Sequence, residues 1–141
     1  MIVLDTNVLS ELMRPRPFVQ VAQWVGNRPA VELFTTAITE AEVFYGIELL
    51  PKSRRRDGLL AAAEAMFGKD FAERVLAFDS DAARAFSRIA ARRRALGKPI
   101  SHADAQIAAI VQLNKATLAT RNVADFAHCE IRLIDPWNEP I

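Results

Sequence analysis

Met1-Ile2-Val3-Leu4-Asp5-Thr6-Asn7 is the stretch whose reading decides the fold. Ile2, Val3 and Leu4 are consecutively apolar, without polar alternation. That is the pattern of a short strand buried on both faces in the middle of a parallel sheet. Asp5 stands where the strand ends. In open α/β sheets the ligand crevice lies outside the carboxyl ends of the strands. A carboxylate there is well placed for chemistry and costly to bury unpaired. A second reading stays open, in which Asp5, Thr6 or Asn7 caps a helix over 8–13.

Outward from this strand the chain alternates. Apolar stretches at 31–36, 75–78, 117–120 and 131–134 read as further strands. Helical spacing predicts helices over 18–25, 39–50, 59–67 and 101–114, with an Ala- and Arg-rich helix between the last two. Asp79-Ser80-Asp81 supplies N-cap chemistry for that helix, and Gly97-Lys98-Pro99 a stop. Strands alternating with helices imply an α/β fold, its mostly parallel sheet covered on both faces. The helix at 59–67 carries more apolar surface than five short strands need, which points to a homodimer.

Composition bounds the function. The 141 residues are 51% hydrophobic and 25% charged, which fits a single domain over 1–141 and excludes disorder. A net charge of +1 argues against binding a polyanion by bulk charge and leaves local patches. Arg84, Arg88 and Arg92, with Arg93 and Arg94, form one ridge, and Arg54-Arg55-Arg56 another. Such ridges read first as solvated faces, and in a nuclease as phosphate contacts. Cys129 is the only cysteine, so it reads as a packed small residue, and no internal disulfide or thiolate metal cage can form. Trp24 and Trp137 read as core or interface residues. The three apolar residues before Asp5 fall far short of a signal peptide's apolar core, and no stretch approaches the roughly 20 apolar residues of a membrane span. The expectation is a cytoplasmic protein with no membrane contact.

Two more acids stand out. Three, four and seven residues beyond Glu42 come Tyr45, Gly46 and Leu49; beyond Asp104 come Ile107, Ala108 and Val111. Each acid thus heads a stripe expected to face inward, in a first turn that favours negative charge. Thr39-Glu40-Ala41-Glu42 and Ser101-His102-Ala103-Asp104 also fit the Ser/Thr-x-x-acid capping box. Taken singly, each acid therefore reads more readily as a cap than as a ligand. Three acids at one sheet edge shift that balance. At roughly 4 Å and an effective dielectric near 20, each pair repels by about 4 kcal/mol. A hard divalent cation holds such groups together, and oxygen-only ligands point to Mg²⁺ or Mn²⁺.

Four motifs in order carry a family resemblance. They are the opening Ile2 to Glu11, then Thr36-Ala37-Ile38-Thr39-Glu40-Ala41-Glu42, then Ile100 to Ala109 around Asp104, then Ala119-Thr120-Arg121-Asn122-Val123-Ala124-Asp125-Phe126. Asp135-Pro136-Trp137 closes the set. The chain resembles the PIN-domain ribonucleases, and among them the VapC-type toxins of the FitB-like branch. The resemblance implies a PIN-like fold with a central five-stranded parallel sheet, a homodimer, and metal-dependent hydrolysis of RNA. It implies Asp5, Glu42 and Asp104 as the acidic catalytic and metal-holding residues. The fourth acidic position, often Asp in relatives, is Asn122, which accepts through its carbonyl oxygen but adds no charge. Asp125 is the alternative occupant, its other reading being a surface residue of a turn. Thr6 and Thr120 resemble hydroxyls placed beside the carboxylates, with loop or cap roles as the alternative. A cognate DNA-binding antitoxin of VapB or FitA type is further implied, as in a type II toxin–antitoxin pair.

Two rivals remain. An aspartyl-phosphate phosphatase would use Asp5 as nucleophile, but such enzymes usually carry Asp-x-Asp, and residue 7 is Asn. A non-catalytic PIN-like module would dock a basic partner segment in the acidic pocket, a reading that Asn122 keeps open.

Overall fold

In the computed structural model, which describes residues 1–139, the apolar triplet forms β1 (Ile2–Leu4) at the centre of a sheet. β2 (Leu33–Thr36), β3 (Val75–Leu76), β4 (Thr117–Ala119) and β5 (Arg132–Ile134) complete it in the order β3-β2-β1-β4-β5. Every neighbouring pair is parallel, with Val3 beside Phe34 on one flank and Leu118 on the other. The five-stranded parallel sheet is as expected. From β1 the chain winds outward to β3, then crosses to the opposite flank for β4 and β5. The winding reverses between β1 and β4, and that reversal opens a crevice beyond their carboxyl ends.

Six helices pack on the two faces: α1 (Thr6–Leu12), α2 (Val19–Gly26), α3 (Ala37–Glu48), α4 (Arg54–Ala65), α5 (Ser80–Ala95) and α6 (His102–Leu113). Successive strand residues point to opposite faces, and the core divides accordingly. Leu4 packs with Val8, Leu9, Val21, Trp24, Ile47 and Phe67. Val3 packs with Ala85, Ile89, Ile107, Val111 and Leu118. A dry environment on both sides is what the unbroken apolar run of β1 encodes.

Local chemistry sets the helix ends. Thr36, Ser53, Asp79 and Ser101 accept backbone N–H bonds of 3.1, 3.1, 2.9 and 3.2 Å from the residue three positions on. Gly97, at φ +72°, ends α5. Lys98 N–H reaches Arg93 O at 2.9 Å and Gly97 N–H reaches Arg94 O at 3.0 Å, the paired bonds that a left-handed residue permits.

The structure corrects several expectations. α3 starts at Ala37 because Thr36, at the end of β2, already offers an N-cap acceptor. Thr39 therefore lies inside the helix, the Thr39–Glu42 capping box does not form, and Glu42 sits in the second turn. Nor does Glu42 head an inward stripe. Tyr45 and Leu49 are 66% and 67% exposed, and the buried line of α3 is Thr39, Val43 and Ile47. Asp104 does sit in the first turn of α6, and Ile107, Ala108 and Val111 are buried. The apolar surface at 59–67 is not surplus, because Ala63 and Phe67 are buried and Leu59, Leu60 and Met66 pack against the core. Phe67 also meets Phe44 with ring centroids 5.7 Å apart. The sequence ground for a dimer therefore falls away.

Arg93 does not belong to a solvated ridge. It is 6% exposed, and its guanidinium donates to the carbonyls of Lys98 and Asp125 at 2.7 Å and of Ala127 at 3.0 Å. Arg84, Arg88 and Arg92 remain on the exposed face of α5. Trp24 and Cys129 are packed in the core as read. Among the described residues, no helix is long and apolar enough to cross a membrane.

The cap assignment is directly testable. Thr36→Ala should lower stability by about 1 kcal/mol, the usual cost of losing an N-cap oxygen. Urea denaturation reads this out, and an unchanged midpoint would move the cap elsewhere.

Candidate active site

Asp5 follows β1 at the crevice and is only 4% exposed. Its Oδ1 accepts the Thr6 N–H at 2.8 Å. Its Oδ2 accepts the Thr120 hydroxyl at 2.7 Å and Asn7 Nδ2 at 3.3 Å. Thr120 follows β4, so one hydrogen bond ties together the two strand ends that flank the winding reversal. Asn7 strengthens the tie, donating to Thr120 Oγ1 at 3.2 Å and accepting the Arg121 N–H on its Oδ1 at 3.2 Å. Asn122 N–H also donates to Thr120 Oγ1, at 3.1 Å. Asp5 thus caps α1 and also faces the crevice.

Two helices bring the other acids to the same cleft, of about 530 Å³, which Asp5, Glu42, Asp104 and Asn122 all line. The Thr6 hydroxyl donates to Glu42 Oε1 at 2.7 Å and lies 3.1 Å from Thr39 Oγ1. This bond aims an otherwise exposed glutamate at the cleft. Asp104 is half-buried, its N–H held by the Ser101 hydroxyl at 3.2 Å. Asp125 is exposed in the 3-10 turn Val123–Phe126 and does not line the cleft. Its charge is nonetheless felt by Asp104.

The electrostatics record the crowding. Burial, above all, pushes the Asp5 carboxyl up to about 6; the Thr120 and Thr6 hydrogen bonds oppose this, and the charges of Asp104 and Glu42 add to it. Burial also raises Asp104, opposed by Ser101, reinforced by Asp125 and Glu42, and lowered by Arg93. Even so, among the described residues no three carboxylates, imidazoles or thiolates stand close enough to grip a bare ion. The contact spacing anticipated for the three acids is therefore not reached among the described residues, and the Asp5 and Glu42 carboxylates are each held instead by a hydroxyl from another segment, Thr120 and Thr6. The donors are all hard oxygens, which suits Mg²⁺ or Mn²⁺.

A family profile described as PIN domain matches residues 2–130. The chain belongs to the PIN-domain family. It is 39% identical over 137 residues to the plasmid stability protein StbB of Pseudomonas syringae pv. tomato, covering 97% of this chain and 99% of that protein. It is 34% identical to toxin FitB of Neisseria gonorrhoeae, covering 99% of this chain and 100% of that protein. It is 36% identical to VapC ribonuclease Y4jK of Sinorhizobium fredii, covering 97% and 98%. Among solved structures, FitAB bound to an IR36 DNA fragment matches with a TM-score of 0.89 at 33% identity, over 100% of this chain and 99% of that one. The resemblance carried by the four motifs is borne out.

Reading the sequence of this PIN domain missed part of the cleft wall. Glu11, Arg14, Arg121 and Trp137 line it too. Glu11 is only 7% exposed and accepts Arg14 Nη1 at 3.3 Å and the Phe18 N–H at 3.2 Å. Its spacing of four from Asn7 on α1 was the available signal. Trp137 is reached only through the final loop, which no local pattern brings to the site. His102 and His128 lie outside the cleft.

The raised Asp5 carboxyl has a stability consequence. Its folded value near 6 exceeds the ordinary 3.9, so between about pH 4 and 6 the folded state binds more protons than the unfolded. Stability then falls as pH rises through that window, by up to about 3 kcal/mol, and the loss is complete above pH 6. In chelator, Asp5→Asn should be more stable than the parent at pH 8, by about 1–2 kcal/mol after loss of a charge-assisted hydrogen bond. The gain should vanish near pH 4. Equal urea midpoints at pH 8 would mean the buried charge carries no penalty.

Proposed function

We propose that this PIN domain is an Mg²⁺- or Mn²⁺-dependent endoribonuclease and the toxin of a type II toxin–antitoxin pair. The observation that carries this reading is the convergence of Asp5, Glu42 and Asp104 on one cleft at the winding reversal of the sheet. Full-length similarity to proteins named as VapC ribonuclease and toxin FitB supports it over a non-catalytic docking module. The phosphatase alternative finds no support among these relatives.

Asp5, Glu42 and Asp104 would hold the cation, partly through water, with the Asn122 carbonyl oxygen as a neutral fourth donor. When bound, the cation polarises a water and offsets charge on the scissile phosphate. Thr120 and Asn7 orient the Asp5 carboxylate through two hydrogen bonds to the same oxygen. Thr6 orients Glu42 across the gap between α1 and α3. Ser101 fixes the first turn of α6, and with it the backbone that carries Asp104.

The partner assignment follows solved relatives described as FitAB and VapBC complexes, some on DNA. This chain is accordingly expected to pair with a DNA-binding antitoxin, while the homodimer rests on the family resemblance alone. Tyr45 on α3 and Leu49 at its C-cap are apolar and exposed, which suits a protein partner on that face.

Cleavage of single-stranded RNA across an Mg²⁺ and Mn²⁺ titration tests the reading. Asp104→Asn should lower kcat/KM by on the order of 100-fold, as loss of a group stabilising developing charge does. Asn122→Ala should cost about tenfold, as supporting groups around a metal do, and Asn122→Asp should preserve or improve activity. Asp125→Ala should matter much less. Saturating cation should raise thermal stability by about 2.7 kcal/mol at 100 times its Kd, and less in Asp104→Asn. Undiminished cleavage in chelator, or by Asp104→Asn, would overturn the assignment. Loss of cleavage in Asp125→Ala, with Asn122→Ala intact, would give the fourth position to Asp125.

A further inference from the structure

Four carboxylates line the cleft, Asp5, Glu11, Glu42 and Asp104, against two cations, Arg14 and Arg121. An RNA strand carries a negative charge at every phosphate and meets repulsion here unless a cation receives it. Arg14 is committed, its Nη1 standing 3.3 and 3.4 Å from the two oxygens of Glu11. Arg121 is exposed and, among the described residues, has no carboxylate within ion-pair distance.

Arg121 is nevertheless held in place. Its guanidinium carbon lies 5.1 Å from the centroid of the Trp137 ring, and Trp137 is packed against the core. An indole face restrains a guanidinium without neutralising its charge. The Arg121 N–H is anchored on Asn7 Oδ1, and Asn7 in turn donates to Asp5 Oδ2. The cation is thereby tied to the same frame as the central carboxylate. A planar guanidinium presents paired N–H donors that match two phosphate oxygens.

We propose that Arg121, braced by Trp137, grips a backbone phosphate of the RNA beside the acidic residues. This rests on the ribonuclease reading and names the side chain that takes the substrate. Arg121 thus sets affinity and register along the strand, while the carboxylates act at the bond that is cut.

Steady-state cleavage of a short single-stranded RNA, at fixed cation and across a potassium chloride series, tests the assignment. Arg121→Ala is expected to raise KM about tenfold, the scale of a charged hydrogen bond, with kcat within about twofold. Its plot of log kcat/KM against log salt should be shallower by about 0.7, the loss of one single-strand phosphate contact. Arg121→Lys, which keeps the charge, should restore the salt slope and part of KM. An unchanged KM and slope in Arg121→Ala, or a fall confined to kcat, would overturn the proposal. So would a slope in Arg121→Lys as shallow as in Arg121→Ala. Failure of the unmodified protein to cleave any single-stranded RNA would instead defeat the ribonuclease reading, and this inference with it.

Discussion

The buried carboxylate of Asp5 is the constraint around which the structure is arranged. A central parallel strand is dry on both faces, so the residue just beyond it is dry as well. Three donors meet its oxygens, the Thr6 N–H, the Thr120 hydroxyl and Asn7 Nδ2. Those bonds do not cancel the cost of burial, since the carboxyl still stands near 6. Sites that must hold charge away from water carry such a penalty, and the rest of the domain supplies the stability that tolerates it.

The donors come from both flanks of the reversal in winding, so solvating Asp5 also closes the top of the sheet. Thr120 lies beyond β4 and Asn7 in the first turn of α1, and Asn7 extends the link to the backbone of Arg121. Arg93 braces the structure from behind. Its guanidinium joins the carbonyls of Lys98, Asp125 and Ala127, tying the approach to α6 and the turn after Asn122 to α5. It also opposes the rise of the Asp104 carboxyl. One buried cation thus steadies two loops and tempers one acid.

A fold does not by itself dictate chemistry, and PIN-like topology is no exception. What fits phosphodiester chemistry is the content of the cleft: hard oxygens on one side, and on an indole nearby a guanidinium with no ion-pair partner among the described residues. Each of these cleft residues is held by a neighbour, Glu42 by Thr6, the Asp104 backbone by Ser101, Asp5 by Thr120 and Arg121 by the Trp137 ring. Side chains held this way reach a substrate with less rotamer freedom left to lose.

The local sequence alone determined the sheet and much of the acid set. The triplet Ile2-Val3-Leu4 read as a doubly buried strand because it is short, apolar without alternation, rich in β-branched residues and ended at once by Asp5. Gly97 and Ser101 specified the end of α5 and the start of α6, because a left-handed stop and a hydroxyl cap act over a few residues. Asp104, fixed by Ser101, was legible for the same reason. Glu42 was legible as a member of a motif but not in its setting. Which face of α3 is buried was decided by Val43 and Ile47 meeting Phe67 and the core, contacts the helix does not contain within itself. Arg93 read as one more surface arginine, because its carbonyl partners lie up to 34 residues away. Trp137 reached Arg121 only after β5 paired beside β4. Patterns of a few residues encode strands, caps and stops; the partners of a buried charge and the far wall of a cleft belong to segments distant in sequence, and only the tertiary structure could decide them.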